Sequence, residues 1–363
     1  MSQTTLRKSA KASTSKTKAV KVNFHDQLIL NQWLWSLLNP ASLVAMHDKL
    51  DHPQLEGLSE DGKTRFFEKI TGSLFNTHLI DTDTLLRYDL NIVQHWKQIT
   101  DRRNDIEGHV LNLKYFQYLS LLFTEIYLDY YFNNTADMLD GLNTVLAQFN
   151  SQQQQVEQQF QPYRSDDTID DLNKVAFWNA TGSGKTLLMH VNILQYLHYY
   201  QSKHGAHAQP EQIILLTPNE GLSQQHLQEL IDSGFEASFF DKRKSTDLLG
   251  RRQIQIIDIN KIADKDGDKT VAAASLEGKN LVLVDEGHRG TGTAAGAWME
   301  RRDILCKDGF SFEYSATFGQ AVSKADNVIK KREELQKAQA KMLFATTSLN
   351  RLNDAQKAQL ALN

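Results

Sequence analysis

The stretch KVAFWNATGSGKTLLMHVNILQYL, Lys174–Leu197, decides how the rest of the chain is read. An apolar run, KVAFW, leads through NATGSGKT into an amphipathic segment from Thr186 to Tyr200. Strand, glycine-rich turn and helix in that order are the context of a phosphate-binding loop. Gly182 and Gly184 let the backbone turn its N–H groups inward around an anion, with Ala180, Thr181 and Ser183 completing the turn. The start of the following helix adds unpaired donors and the positive end of its dipole. Lys185 supplies a mobile cation for the β- and γ-phosphates, and Thr186 offers a hydroxyl to Mg²⁺. The full pattern G-x-x-x-x-G-K-[ST] asks for glycine at position 179, where this chain has Asn179. That first glycine relieves crowding at the strand exit, and Asn tolerates unusual φ. The departure therefore points to a subfamily rather than to a lost site.

Working outward, four more short apolar runs follow: QIILLT (212–217), QIQIIDI (253–259), NLVLVD (280–285) and FSFEYSA (310–316). Helical stretches such as EGLSQQHLQELIDSG lie between them. This alternation predicts a parallel sheet with crossover helices, and continuously apolar strands are those covered on both faces. In such a sheet ligands sit beyond the carboxyl ends of the strands. LVLVDEGHRG places Asp285 at one of these ends, suited to hold Mg²⁺, with Glu286 beside it to orient or deprotonate an attacking water.

Taken together, ATGSGKT and DEGH resemble motifs I and II of the superfamily 2 helicases and translocases of the DEAD/DEAH-box kind. In that family motif I is often AxxGxGKT, with no first glycine. LLTPNEGLSQQ resembles motif Ia, whose Thr-Pro backbone, here Thr217 and Pro218, would lie on nucleic acid phosphates. SATFG resembles motif III, so Ser315, Ala316 and Thr317 would couple hydrolysis to movement. IQIIDINKI stands where motif Ib would be, with a loose match. The resemblance implies that Lys185 and Thr186 bind phosphate and Mg²⁺, that Asp285 and Glu286 serve metal and water, and that His288 contacts the motif III region. Gly287 stands where Ala is more frequent. The family often reads adenine with an upstream glutamine, for which Gln117 is the candidate, although it lies 68 residues before Lys185. The texture is most similar to the helicase subunit of type III restriction enzymes and related defence helicases.

The resemblance thus implies an α/β fold: a RecA-like phosphate-loop domain with a parallel sheet and crossover helices, preceded by an all-α N-terminal domain. Residues 1–22 are a basic tail without acidic residues, expected to be disordered. Residues 23–150 carry helical periodicity, as in DQLILNQWLWSLLN and KYFQYLSLLFTEIYLDYYF, the latter with Phe116, Leu119, Phe123, Ile126 and Tyr130 on one stripe. Asn134 or Thr135 is the expected cap of a further helix. A polar Gln-rich connector spans 151–170, the RecA-like domain 171–322, and a charged helical extension 323–363.

The 363 residues carry a net charge of −4, so any pull toward nucleic acid is local. Cys306 is the single cysteine, which excludes an internal disulfide and fits a reducing, cytoplasmic setting. His204 and His207 fall in a loop with no metal-spaced partners. No apolar run is long enough to cross a membrane, and no secretory leader pattern is visible. The expected ligands are ATP and Mg²⁺. The expected partners are nucleic acid, DNA rather than RNA, and a methyltransferase or nuclease subunit. After Gln320 only 43 residues remain, too few for the second RecA-like domain that supplies an arginine finger. The resemblance therefore implies an N-terminal fragment, a truncated gene product, or a half-motor completed in trans. Two other readings stay open: a module that binds ATP without turnover, and an unrelated phosphate-loop ATPase whose TP and SAT matches are accidental.

Overall fold

The computed structural model describes residues 28–37, 43–73, 80–152, 159–163, 172–241, 253–263, 267, 270–286, 301–316 and 342–343. Among the described residues the α-helices that come first are α1 (Ile29–Ser36), α2 (Leu43–Leu50), α3 (Arg65–Ser73), α4 (Thr82–Glu107), α5 (Tyr115–Asn133) and α6 (Thr135–Ser151). The sheet follows: β1 (Lys174–Trp178), β2 (Ile213–Thr217), β3 (Ala237–Phe239), β4 (Ile254–Asp258), β5 (Ile262–Ala263), β6 (Val271–Ala272), β7 (Leu281–Asp285), β8 (Phe310–Ser315) and β9 (Met342–Leu343). Between strands lie α7 (Lys185–His204) and α8 (Glu220–Asp232). The five expected strands are present, each within a residue of its expected bounds. The short β3, β5, β6 and β9 carry too few residues for an apolar pattern and were not foreseen.

Seven strands form one all-parallel sheet in the order β3-β4-β2-β7-β8-β1-β9. The chain passes from β1 to β2 across two places that β7 and β8 fill later. Register then sets the functional ends level: Trp178 pairs with Ser315, Asp285 with Tyr314, and Leu216 with Val284. The loop after β1, the Asp285 end of β7 and the Ser315 end of β8 therefore open on one edge of the sheet.

Alternation within each strand divides the core into two clusters. Val175, Phe177, Leu283, Phe310, Phe312 and Tyr314 face the helices, whereas Ile214, Leu216, Val282 and Val284 face a smaller cluster closed by Leu276, Leu305 and Cys306. The helix-facing cluster runs without a break from Ile29 through α5 to the sheet.

One helix is buried more completely than its pattern suggested. Every residue of α5 from Tyr115 to Asp129 is buried, not a single stripe. A helix covered on all sides must satisfy its polar side chains internally. Glu125 accepts from Tyr199 Oη (2.7 Å), Gln195 Nε2 (2.7 Å) and Asn91 Nδ2 (3.3 Å). Tyr131 and Tyr196 of α5 and α7 set their rings against Phe310 of β8. Together these contacts seat α5 against the helix that begins at the phosphate loop.

Local chemistry bounds the elements. Asp81 caps α4 by accepting from the Thr84 amide at 2.7 Å, and Gly108 ends it at φ 69°. Asn134 occupies the cap position of α6 without a side-chain capping bond. Part of the expected polar connector is packed: Phe160 stacks on Phe149, and Asn143 and Asn150 bond the backbone of Tyr163 and Phe160. The basic tail and nearly all of the charged extension lie outside the described residues.

Candidate active site

The loop between β1 and α7 is shaped by its two glycines. Gly182 and Gly184 stand at φ 75° and 82°, the left-handed region where a Cβ is strained. Gly184 is also the N-cap of α7, with no side chain capping the helix, so the first N–H groups of α7 are left for a ligand. Thr181 and Gly182 are exposed, and Lys185 and Thr186 are half-buried. Asn179 does not use the unusual φ expected of it. Among the described residues only Glu286 combines a side chain with positive φ, at 53°. Asn179 is instead fully buried, and its N–H donates to Ser315 O at 3.0 Å. Trp178 Nε1 donates to Ala316 O at 2.9 Å. These two bonds tie the root of the phosphate loop to the end of β8.

Gln117 reaches this loop from α5. Its Nε2 donates to Ser183 O at 3.0 Å, and its Oε1 accepts the Lys114 N–H at 3.0 Å. A Cβ on Gly184 would meet Gln117 Nε2 at 2.5 Å. A side chain here would thus displace the Gln117 amide as well as strain φ. Both ends of the Gln117 amide are engaged, each through one of its two hydrogen-bonding sites.

Across the edge, Lys185 Nζ pairs with Glu286 Oε1 at 3.1 Å. Ser315 Oγ donates to Glu286 Oε2 at 3.5 Å. Residues from three of the predicted motifs, I, II and III, thereby meet at one carboxylate. Asp285, nearly buried, accepts from His226 Nε2 through Oδ2 at 3.0 Å. Burial alone would raise its pKa. The His226 bond, the Lys185 charge and the Glu286 N–H outweigh that and hold the carboxyl below its ordinary range.

Thr217 is buried at the end of β2, and its hydroxyl is shared with Ser223 Oγ at 2.6 Å. Pro218 is half-buried, with its carbonyl accepting from Asn260 Nδ2 at 3.4 Å. Asn219 caps α8 through the Leu222 N–H at 3.0 Å. Gly287, His288 and Thr317 lie outside the described residues.

The sequence reading missed His226 and the buried group behind it. Arg103 of α4 donates from Nη2 to Glu229 Oε2 and O, both at 2.6 Å, and from Nε to Ser233 Oγ at 2.8 Å. His190 Nδ1 meets the same Ser233 Oγ at 2.8 Å. One signal was available: Ser223, His226 and Leu230 are the buried face of α8, so a histidine occupies a core position of an amphipathic helix.

The donor set fits a magnesium nucleotide. The loop offers left-handed glycines, an uncapped helix start and a buried Ser183 hydroxyl without a partner. Thr186 and Asp285 are hard oxygen donors, as Mg²⁺ requires. Among the described residues no group of three or more His, Cys, Asp or Glu side chains forms a metal site of its own. Mg²⁺ ordinarily takes one or two protein oxygens together with substrate phosphates, and Thr186 and Asp285 would supply the protein share. No helix among the described residues is long and apolar enough to cross a membrane.

Residues 146–320 match the family described as type III restriction enzyme, res subunit. The motif resemblance to helicase-type ATPases is thereby shown for the segment that carries β1 to β8. No curated protein matches the chain. Solved structures that it resembles include an S. cerevisiae Dbp5 variant bound to Nup159, Gle1, IP6 and ADP, at 15% identity and TM-score 0.30, covering 55% of this chain and 54% of that one. T4 UvsW is another, at 13% identity and TM-score 0.31, covering 61% and 48%. The chain spans about half the length of these two structures.

Proposed function

We propose that this chain binds ATP with Mg²⁺ at the β1–α7 loop and hydrolyses it to move on nucleic acid. DNA is the proposed track, and a restriction or phage-defence assembly with a nuclease or methyltransferase subunit, in the cytoplasm, the proposed setting. In this reading residues 23–150 brace the ATPase unit of 171–322. The meeting of Lys185, Glu286 and Ser315 at one carboxylate carries the proposal, because it joins three of the sequence motifs, I, II and III, through side chains.

Each residue has a task that follows from its place. Gly182, Gly184 and the start of α7 present backbone N–H groups to the phosphates, with Ala180, Thr181 and Ser183 forming the turn. Lys185 holds Glu286 until an anion competes for its charge. Once Lys185 turns to phosphate, Glu286 is freed to accept a proton from the attacking water, with Ser315 Oγ keeping the carboxylate in place. Thr186 and Asp285 would hold Mg²⁺, which when bound draws charge from the phosphate oxygens. Thr217, Pro218, Ser315, Ala316 and Thr317 are assigned to track binding and coupling, His288 to the catalytic set beside them, and Gln117 to the nucleotide pocket.

The Lys185–Glu286 pair also favours a second reading, a module that binds ATP without turnover, since both groups are engaged with each other. Nucleotide titration and turnover separate the two. Lys185→Ala should abolish binding of a fluorescent ATP analogue. Glu286→Gln should retain binding and lose hydrolysis. Equal binding by Lys185→Ala sinks the site assignment. Absence of turnover in the parent chain with any DNA or RNA favours the binding module.

A further inference from the structure

We infer that His226 is a positioning residue for the metal carboxylate Asp285, an inference that rests on the nucleotide site proposed above. Asp285 ends β7, and its Oδ2 receives His226 Nε2–H at 3.0 Å. The imidazole is buried on α8, on the face shared with Ser223 and Leu230. A buried carboxylate with one oxygen bonded to a side chain on a packed helix cannot rotate without losing that bond. The His226 bond thereby fixes the plane of the carboxylate that would meet the cation.

The helix that carries His226 is itself held at both ends. At its start the Asn219 side chain accepts the Leu222 N–H, and Thr217 and Ser223 share a hydrogen bond. At its end, buried Arg103 grips Glu229 and Ser233. His226 thus sits on a clamped element, as a side chain that fixes a metal ligand must. No ligand contact is required of His226 itself; it acts through Asp285.

The test uses the full chain with Mg²⁺ as titrant and a fluorescent ATP analogue as probe. Parent, His226→Leu, His226→Gln and His226→Asn are compared for the Mg²⁺ concentration that gives half-maximal nucleotide binding. Analogue affinity without Mg²⁺ and melting temperature are measured alongside. Gln places an amide N–H near the reach of Nε2, whereas Asn falls short and Leu has no donor. His226→Leu and His226→Asn should raise the Mg²⁺ requirement about tenfold or more. His226→Gln should restore most of it, with metal-free affinity unchanged throughout. If Leu prevents folding, the Gln–Asn contrast decides alone. Equal Mg²⁺ requirements in all folded variants overturn the inference. A parent chain that binds no nucleotide with or without Mg²⁺ overturns the underlying site instead.

Discussion

Gln117→Leu removes two hydrogen bonds at once while keeping the approximate side-chain volume. The lost partners are the Lys114 N–H and the Ser183 carbonyl, each at 3.0 Å. A hydrogen bond contributes about 1 kcal/mol net, and a buried carbonyl left unpaired costs about 1–3 kcal/mol. Stability should therefore fall by about 2–3 kcal/mol. The functional effect follows from where the second bond sits. Ser183 lies between the two left-handed glycines, and Gln117 is the side chain that Gly184 makes room for. With that brace gone, the binding-competent loop should become a minority form, and apparent affinity falls in proportion to its population. A change of about 1.4 kcal/mol in that equilibrium weakens binding about tenfold. Fluorescence anisotropy with ATP and GTP analogues reads this directly, with urea unfolding for stability. The brace predicts equal losses for both bases. A loss confined to the adenine nucleotide would show that Gln117 reads the base. Unchanged affinity for both would refute the brace altogether.

Other substitutions test neighbouring parts of the same frame. Gly184→Ala combines left-handed strain of about 1–2 kcal/mol with a collision against Gln117 Nε2. Nucleotide binding should be lost, and near-parental affinity would contradict the described loop. Arg103→Met leaves Glu229 without its cation and should cost about 2–4 kcal/mol in denaturant unfolding, toward the lower end because Glu229 is partly exposed. A change below about 0.5 kcal/mol would show that α8 needs no hold from α4. Glu125 supplies a pH test. Burial, against the pull of its Tyr199, Gln195 and Asn91 bonds, pushes its pKa up to about 7 from an ordinary 4.5. The folded state then binds the proton more tightly than the unfolded one. The associated stability is fully present below the unfolded pKa and is lost as pH rises through about 7, on the order of 3 kcal/mol at most. Glu125→Gln should flatten the fall in stability between pH 5 and 8, and an unchanged slope would rule out Glu125 as its source.

Much of the candidate site is legible in the sequence. A phosphate loop is contiguous, and its strand, glycines, Lys185 and Thr186 leave their mark within a dozen residues. Asp285 and Ser315 could be placed because each closes an apolar run, and parallel strands expose their carboxyl ends together. Asn179 was harder. Its residue type suggested an unusual φ, but its role is set by the strand it lies against, which local sequence does not reveal. For α5 the stripe of apolar residues was visible. Its burial on every side was not, because Ser120, Thr124, Glu125 and Asp129 look solvent-facing until partners from α4 and α7 are present.

By itself the sequence determined the alternation of strand and helix, the chemistry of the phosphate loop and the order of the motifs, all of which are encoded in neighbouring residues. Only the tertiary structure decided which side chains act on that loop from afar. Gln117 reaches Ser183 across 66 residues, Arg103 holds α8 across more than a hundred, and His226 meets Asp285 across 59. Such pairings depend on strand order and on the seating of α5 and α8 against the sheet. Hydrogen bonds between distant segments leave no periodicity in a chain, so the contacts of Gln117 and His226 appear only when the fold brings them to the loop after β1 and the end of β7, and that of Arg103 only when α4 lies against the end of α8.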